Sequence, residues 1–287
     1  MKKLIHLFCV LALFACSDES TDSNNNENND NGDNSTMLVS KINTTSIEND
    51  LIDEDYAYED SYTYDGNKIV ETNTKVYYNG QLHNTRRKEY IYTDNKISRI
   101  DSYDSENQLT VYRVLEYDSQ GRIVLFEYFY CESQDDCELD SSAALTYSSN
   151  TINLFHSSTN TAVAVLDNSG NMVSASSTNE DDEGCGSSTT VEYDNQNNAF
   201  KNITGFNNLG PVFAYLIYPS AQYYGYYAVN NNPTSMVNTE ACDGGDEYTY
   251  TYNFYYDYND EGYPRNIIEE EVGSTITLTA TTIIEYQ

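Results

Sequence analysis

The chain has 287 residues, with 46 acidic against 14 basic side chains and a formal charge of −32. That balance opposes attraction to phosphate backbones and to anionic lipid surfaces, so nucleic acid is excluded as a partner. Twenty-nine tyrosines, no tryptophan and four prolines favour pleated, half-wet strands over helices, and the length suits one large β domain behind a tail.

Residues 1–15 read as a signal peptide. Lys2 and Lys3 precede an apolar run from Leu4 to Phe14, which is shorter than the ~20 residues needed to cross a bilayer. The ending "LFAC" resembles the lipobox of bacterial lipoproteins. The resemblance implies that Cys16 becomes the first mature residue and carries the lipid. Residues 16–45 then read as a flexible tether, because "SDESTDSNNNENNDNGDNST" has too little apolar surface to repay its ordering entropy. Ser17, Asp18 and Glu19 resemble the export signal of Bacteroidota-type surface lipoproteins. That implies an outer-membrane protein, held by its lipid and facing the cell exterior. A plain acidic linker is the alternative.

Residues 46–287 read as a β domain built from a repeat. Tyrosines introduce polar breaks at "YDGNKI" from Tyr64, "YNGQL" from Tyr78, "YTDNKI" from Tyr92, "YDSENQL" from Tyr103 and "YDSQGRI" from Tyr117. Asp, Asn, Gly and Ser tolerate left-handed backbone or bond their own turn, so these breaks predict hairpins, and Gly121 falls where a tight turn needs positive φ. Strands of about ten residues follow, roughly 33 Å long. The fold class is mainly β, an antiparallel meander of long hairpins, either open or curled into a barrel. Weaker copies begin at Tyr147, Leu166 and Tyr193, and a strong one at Tyr256. The pattern resembles the YD-type repeats of bacterial surface proteins and the Bacteroidota lipoproteins built on a porin-like domain of unknown function. That family transfers no activity.

Ten-residue strands also suit an outer-membrane barrel. The stretch "QLHNTRRKEYIY" opposes that, because Arg86 and Arg87, like Lys88 and Glu89, fall on opposite faces and leave no apolar band for lipid. "RIVLFEYFY" is apolar on both faces from Ile123 to Phe129, which predicts a strand covered on both sides. The sheet is therefore expected to be soluble.

Cys131, Cys137, Cys185 and Cys242 are an even set in an oxidising compartment and predict two disulfides. A local Cys131–Cys137 bridge is the easiest pairing, leaving Cys185 with Cys242. No metal site is read from them, since no close cysteine pair exists and only His83 and His156 accompany them in the domain. No catalytic residues are assigned, because neither a nucleophile elbow nor a phosphate loop appears. No cofactor is expected. Calcium is an alternative only at the acidic stretches 179–184 and 243–247, where solvated loops are the plainer account. Tyr248, Tyr250 and Tyr252 alternate onto one strand face, and Tyr223, Tyr224, Tyr226 and Tyr227 surround Gly225. Both groups are candidate binding surfaces, against the simpler view that tyrosine fills a sheet face.

The function expected is a lipid-anchored, surface-facing binding or adhesion module that meets the membrane through its anchor. Glycan capture for nutrient uptake and an envelope scaffold holding proteins are the alternatives. An enzyme, of the glycoside-hydrolase kind, ranks last.

Overall fold

Each polar break turns the chain back on itself. The computed structural model describes residues 37–48, 56–133, 136–156, 160–179, 185–206, 209, 230–242, 245, 247–273 and 277–287. Its strands are β1 (Val39–Glu48), β2 (Tyr56–Asp65), β3 (Lys68–Tyr78), β4 (Gln81–Thr93), β5 (Lys96–Tyr103), β6 (Leu109–Tyr117), β7 (Ile123–Ser133), β8 (Asp136–Ser148), β9 (Thr151–Phe155), β10 (Asn160–Leu166), β11 (Met172–Asn179), β12 (Cys185–Tyr193), β13 (Pro233–Ala241), β14 (Tyr248–Tyr258), β15 (Pro264–Val272) and β16 (Thr277–Tyr286). Every strand pairs antiparallel with its chain neighbours and β16 returns to β1, so the meander closes into a sixteen-stranded barrel. Closure leaves no unpaired edge.

The domain begins earlier than composition indicated. β1 starts at Val39, inside the stretch read as tether, because Leu38, Val39 and Ile42 are buried in the barrel and β1 pairs with both β16 and β2.

The tyrosine repeat has a mechanical meaning at one end of the barrel, termed the base. There the hydroxyls of Tyr64, Tyr117, Tyr147, Tyr193, Tyr256 and Tyr286 donate to the carbonyls of Val39, Ile97, Ile123, Met172, Pro233 and Pro264, at 2.7–2.9 Å. Each acceptor stands at or beside the first residue of the preceding odd-numbered strand. One tyrosine thus ties the start of its own hairpin. A register shift directly before Tyr64, Tyr117 and Tyr193 bends the strand there, re-aiming the side chain as bulges do. Burial pushes the phenols of Tyr64, Tyr117 and Tyr193 well up, which keeps them donors. Leu166 holds the equivalent place on β10, where its amide donates to Asn150 O and its carbonyl accepts from Asn150 Nδ2.

The aspartate of the repeat ties the turn itself. Asp118 Oδ1 accepts the amides of Gln120 and Arg122 at 2.9 and 3.0 Å, and Asp167 does the same for Ser169 and Asn171. Gly121 adopts φ 81°, as its turn requires.

A second device closes the base. The connection from β12 to β13 starts by folding across the barrel interior, and Phe200, Ile203, Phe206 and Leu209 are almost fully buried. Phe200 stacks on Phe206 with centroids 5.3 Å apart and meets Tyr62 edge-on. Thr204 N donates to Asn67 O at 2.8 Å, and Asn202 Nδ2 donates to Met37 O at 2.9 Å. Gly205 lies so close to Tyr92 and Ile97 that a Cβ would sit 3.1 Å from the Tyr92 ring. At the root of the segment, Asp194 accepts from Asn232 and from the Tyr258 hydroxyl. The hydrophobic core is therefore this plug together with the inward side chains around it.

One packing expectation fails. Among the described residues, none forms a second layer over the outer face of β7. Phe129 points outward in register with Tyr112 and stacks on that ring at 4.4 Å, with exposed Leu139 beside it. Single-layer closure, with the plug serving as the core, removes the need for a covering sheet.

Candidate functional site

At the end opposite the base, termed the mouth, the described interior side chains are polar. The period of two along each strand decides which side chains enter it. On β4, Arg86 and Lys88 face inward while Arg87 and Glu89 face outward. Arg86 stands across from Thr74, which stands across from Asp60. One step deeper, Lys88 is flanked by Thr72 and Ser102. Deeper still, Arg113 on β6 is 7% exposed and donates to Ser102 Oγ at 3.2 Å, with its guanidinium 5.1 Å from the Tyr128 ring.

These side chains wall a cavity of about 420 Å³, together with Thr44, Tyr58, Tyr62, Val76 and Val111. Three inward basic residues line it, Arg86, Lys88 and Arg113, against Asp60 and Asp104. Burial pushes the Asp60 carboxyl upward, opposed by the Thr74 hydroxyl and by Lys88. A local positive balance has been built inside a strongly negative molecule. Sequence reading placed Arg86 and Lys88 on one face, yet it assigned that face no role, because it could not show that the face encloses a cavity.

The wall formed by β13 to β15 carries the opposite sign. Glu240 lies in register with Tyr248, Glu269 with Phe254 and Glu271 with Tyr252. Burial, and then the neighbouring Glu271, push the Glu269 carboxyl up to about 7. The alternating stripe of β14 is present, and it faces the interior instead of forming an outer strip. Phe254 is buried, Tyr250 and Tyr252 are half-buried, and Tyr248 is 52% exposed. Tyr223, Tyr224, Tyr226 and Tyr227 lie outside the described residues, as do Cys16, Ser17, Asp18, Glu19, residues 180–184 and most of 243–247.

Both predicted disulfides are present, Cys131–Cys137 and Cys185–Cys242. They bind neighbouring strands at the mouth, β7 to β8 and β12 to β13. His83 and His156 are exposed.

The outer surface carries charged and hydroxylic side chains among exposed apolar ones such as Ile91, Leu139, Tyr255, Ile268 and Ile283. Glu59 bridges Lys41 and Lys75 at 2.7 Å each, and Arg87 pairs with Glu71 and Glu89. Arg99 pairs with Asp101, and Arg265 with Asp257. On β11 and β12 the outward positions are Ser174, Ser176, Thr178, Ser188, Thr190 and Glu192. These charges interrupt the apolar band that a lipid-facing barrel needs.

The fold is similar to that of a porin-like protein from Bacteroides uniformis ATCC 8492, at 12% sequence identity and a TM-score of 0.51, covering 86% of this chain and 96% of that one. A porin-like protein from Bacteroides vulgatus ATCC 8482 aligns at 15% identity with a TM-score of 0.48, covering 88% of this chain and 99% of that one. No family model and no curated protein matches the chain.

Proposed function

We propose that this protein is an envelope barrel that receives a small ligand in its lumen through the mouth. In this reading the barrel stands in water, attached by lipid at Cys16, with Asp18 and Glu19 directing it to the outside. The function is binding, without turnover. One observation carries the reading: a plug crosses the base, while the other end leads into a cavity of about 420 Å³ lined by convergent polar and aromatic side chains. Pockets of this size hold small molecules. The charged outer face supports a water-surrounded barrel. The leader and the likeness to a Bacteroides porin-like barrel support an envelope setting.

The test is equilibrium binding of a panel of neutral, anionic and cationic small solutes to the full-length chain and to Val111→Trp. Val111 is half-buried and lines the cavity, so the indole fills the lumen. Retention of a solute by the parent chain and its loss in Val111→Trp is the expected result. Retention that is indifferent to the substitution contradicts a lumen site.

A further inference from the structure

On a stretch of interior wall separate from the cavity, we propose a site for a slender organic diamine, with one ammonium group against Glu269, the other against Glu271, and the carbon chain along Tyr252.

Glu269 carries the inference. It faces the interior and is 8% exposed. Among the described residues it has neither a hydrogen-bond donor nor a basic partner, and its carboxyl feels only burial and the like charge of Glu271. Its register neighbours supply no charge, Phe254 on β14 and Ala280 on β16. A carboxylate held in that state is costly unless a positive group completes it. Glu271 follows two positions along β15 on the same face, where burial raises its carboxyl against the bond it accepts from the Tyr252 hydroxyl. Glu240 on β13 is exposed nearer the mouth and accepts from Asn238 Nδ2 at 3.2 Å. Among the described residues none of these three carboxylates has an ion-pair partner.

The second observation concerns the body of the ligand. Tyr248, Tyr250, Tyr252 and Phe254 line the same wall, exposed at the mouth end and buried at depth. Burial, and then Glu271, Glu269, Tyr250 and Glu240, raise the Tyr252 phenol, so the carboxylates converge around that ring. Rings beside carboxylates favour an ammonium group. Glu269 and Glu271, two positions apart on one strand face, stand about 7 Å apart at the backbone, a span that a four- or five-carbon diamine matches. A dication compensates both carboxylates, whereas a monoamine leaves one uncompensated. A metal dication is the poorer fit, because among the described residues no three acidic, imidazole or thiol groups converge as a metal site requires. The formal charge of −32 draws cations toward the protein.

Calorimetric titration of the full-length protein near neutral pH with putrescine, butylamine and calcium chloride tests this. Putrescine is expected to bind about tenfold or more tightly than butylamine, to bind more tightly than calcium, and to weaken at high salt. Because a cation favours the ionised carboxyl, binding should also release protons, read as a heat that changes with the buffer. Glu269→Gln and Glu271→Gln should each weaken putrescine about tenfold. Glu269→Gln should abolish the proton release without lowering the melting temperature, a pair of results that damage to the fold does not give. Val111→Trp, which fills the cavity, should leave putrescine binding unchanged. Equal binding of putrescine and butylamine, tighter binding of calcium, or putrescine binding indifferent to both glutamine variants overturns the inference. Putrescine binding that is lost in Val111→Trp and kept in both glutamine variants also overturns it, while the lumen reading stands. The absence of putrescine binding overturns the inference alone, since the cavity does not depend on this wall.

Discussion

At the base of the barrel six tyrosine hydroxyls grip strand starts and a four-residue apolar ladder fills the interior. At the mouth, Tyr78 and Tyr103 come from the same written repeat and do neither. Tyr78 leans on Tyr56, and Tyr103 lies under the Arg87 guanidinium, its hydroxyl donating to Glu89 at 3.0 Å. The difference follows from direction. A tyrosine that ends an even-numbered strand arrives at the base facing a dry interior, and its hydroxyl must find a carbonyl there. A tyrosine that ends an odd-numbered strand arrives at the mouth, where Tyr103 meets a surface carboxylate instead of a strand-start carbonyl. The mouth end is held by disulfides instead, Cys131–Cys137 and Cys185–Cys242, which tie neighbouring strands without filling the interior.

The largest break in this comparison should come from the plug. Phe200→Ala removes a fully buried ring that touches Phe206 and Tyr62 and should cost about 3–5 kcal/mol in denaturant unfolding. A loss under about 1 kcal/mol would mean that the plug is ornamental. At the mouth, replacing Cys185 and Cys242 by serine opens a closure of 57 positions and should cost about 4 kcal/mol. The same exchange at Cys131 and Cys137, a separation of 6, should cost about 2 kcal/mol. Equal losses would contradict the chain-entropy account.

Acidity offers a third handle. The folded state holds the Glu269 proton more tightly than the unfolded chain does, so stability should fall as pH rises from about 4.5 to about 7 and stay level above. Glu269→Gln should remove that fall, gaining up to about 3 kcal/mol near pH 8 and little near pH 4. Parallel pH profiles for parent and variant would refute the burial of this carboxylate. The smallest effect compares the tyrosines themselves. Tyr117→Phe leaves the Ile97 carbonyl short of its donor and should cost about 1 kcal/mol. Tyr103→Phe at the wet end should cost a few tenths.

Strand length, turn positions, the meander order and both disulfides were legible because each is encoded locally, in a Tyr-Asp break, a glycine that needs positive φ, or cysteines at strand ends. Gly121 shows this directly. The closure of β16 onto β1 was not legible, because it depends on the sum of sixteen register offsets. The plug was missed although a signal existed. The interval from 194 to 232 is far longer than any other hairpin connection, and Phe200, Ile203, Phe206 and Leu209 recur every third residue, the period of the successive tight turns in which Ile203 N donates to Phe200 O and Phe206 N to Ile203 O. For the cavity, alternation separated Arg86 from Arg87, but only closure shows that one faces a lumen and the other solvent. The outer cover expected for β7 failed for the same reason, since a run apolar on both faces cannot reveal that its second partner is a neighbouring strand's ring.

Amide hydrogen exchange along the β5–β6 hairpin tests the contrast between the ends most directly. Amides beside Ile97 and Tyr117, and those of Phe200 and Ile203 in the plug, should exchange only by global unfolding. Amides beside Tyr103 and Leu109 at the mouth should exchange faster, through local opening. Uniform protection along the hairpin, or slower exchange at Tyr103 than at Tyr117, would contradict a barrel that is shut at its base and open at its mouth.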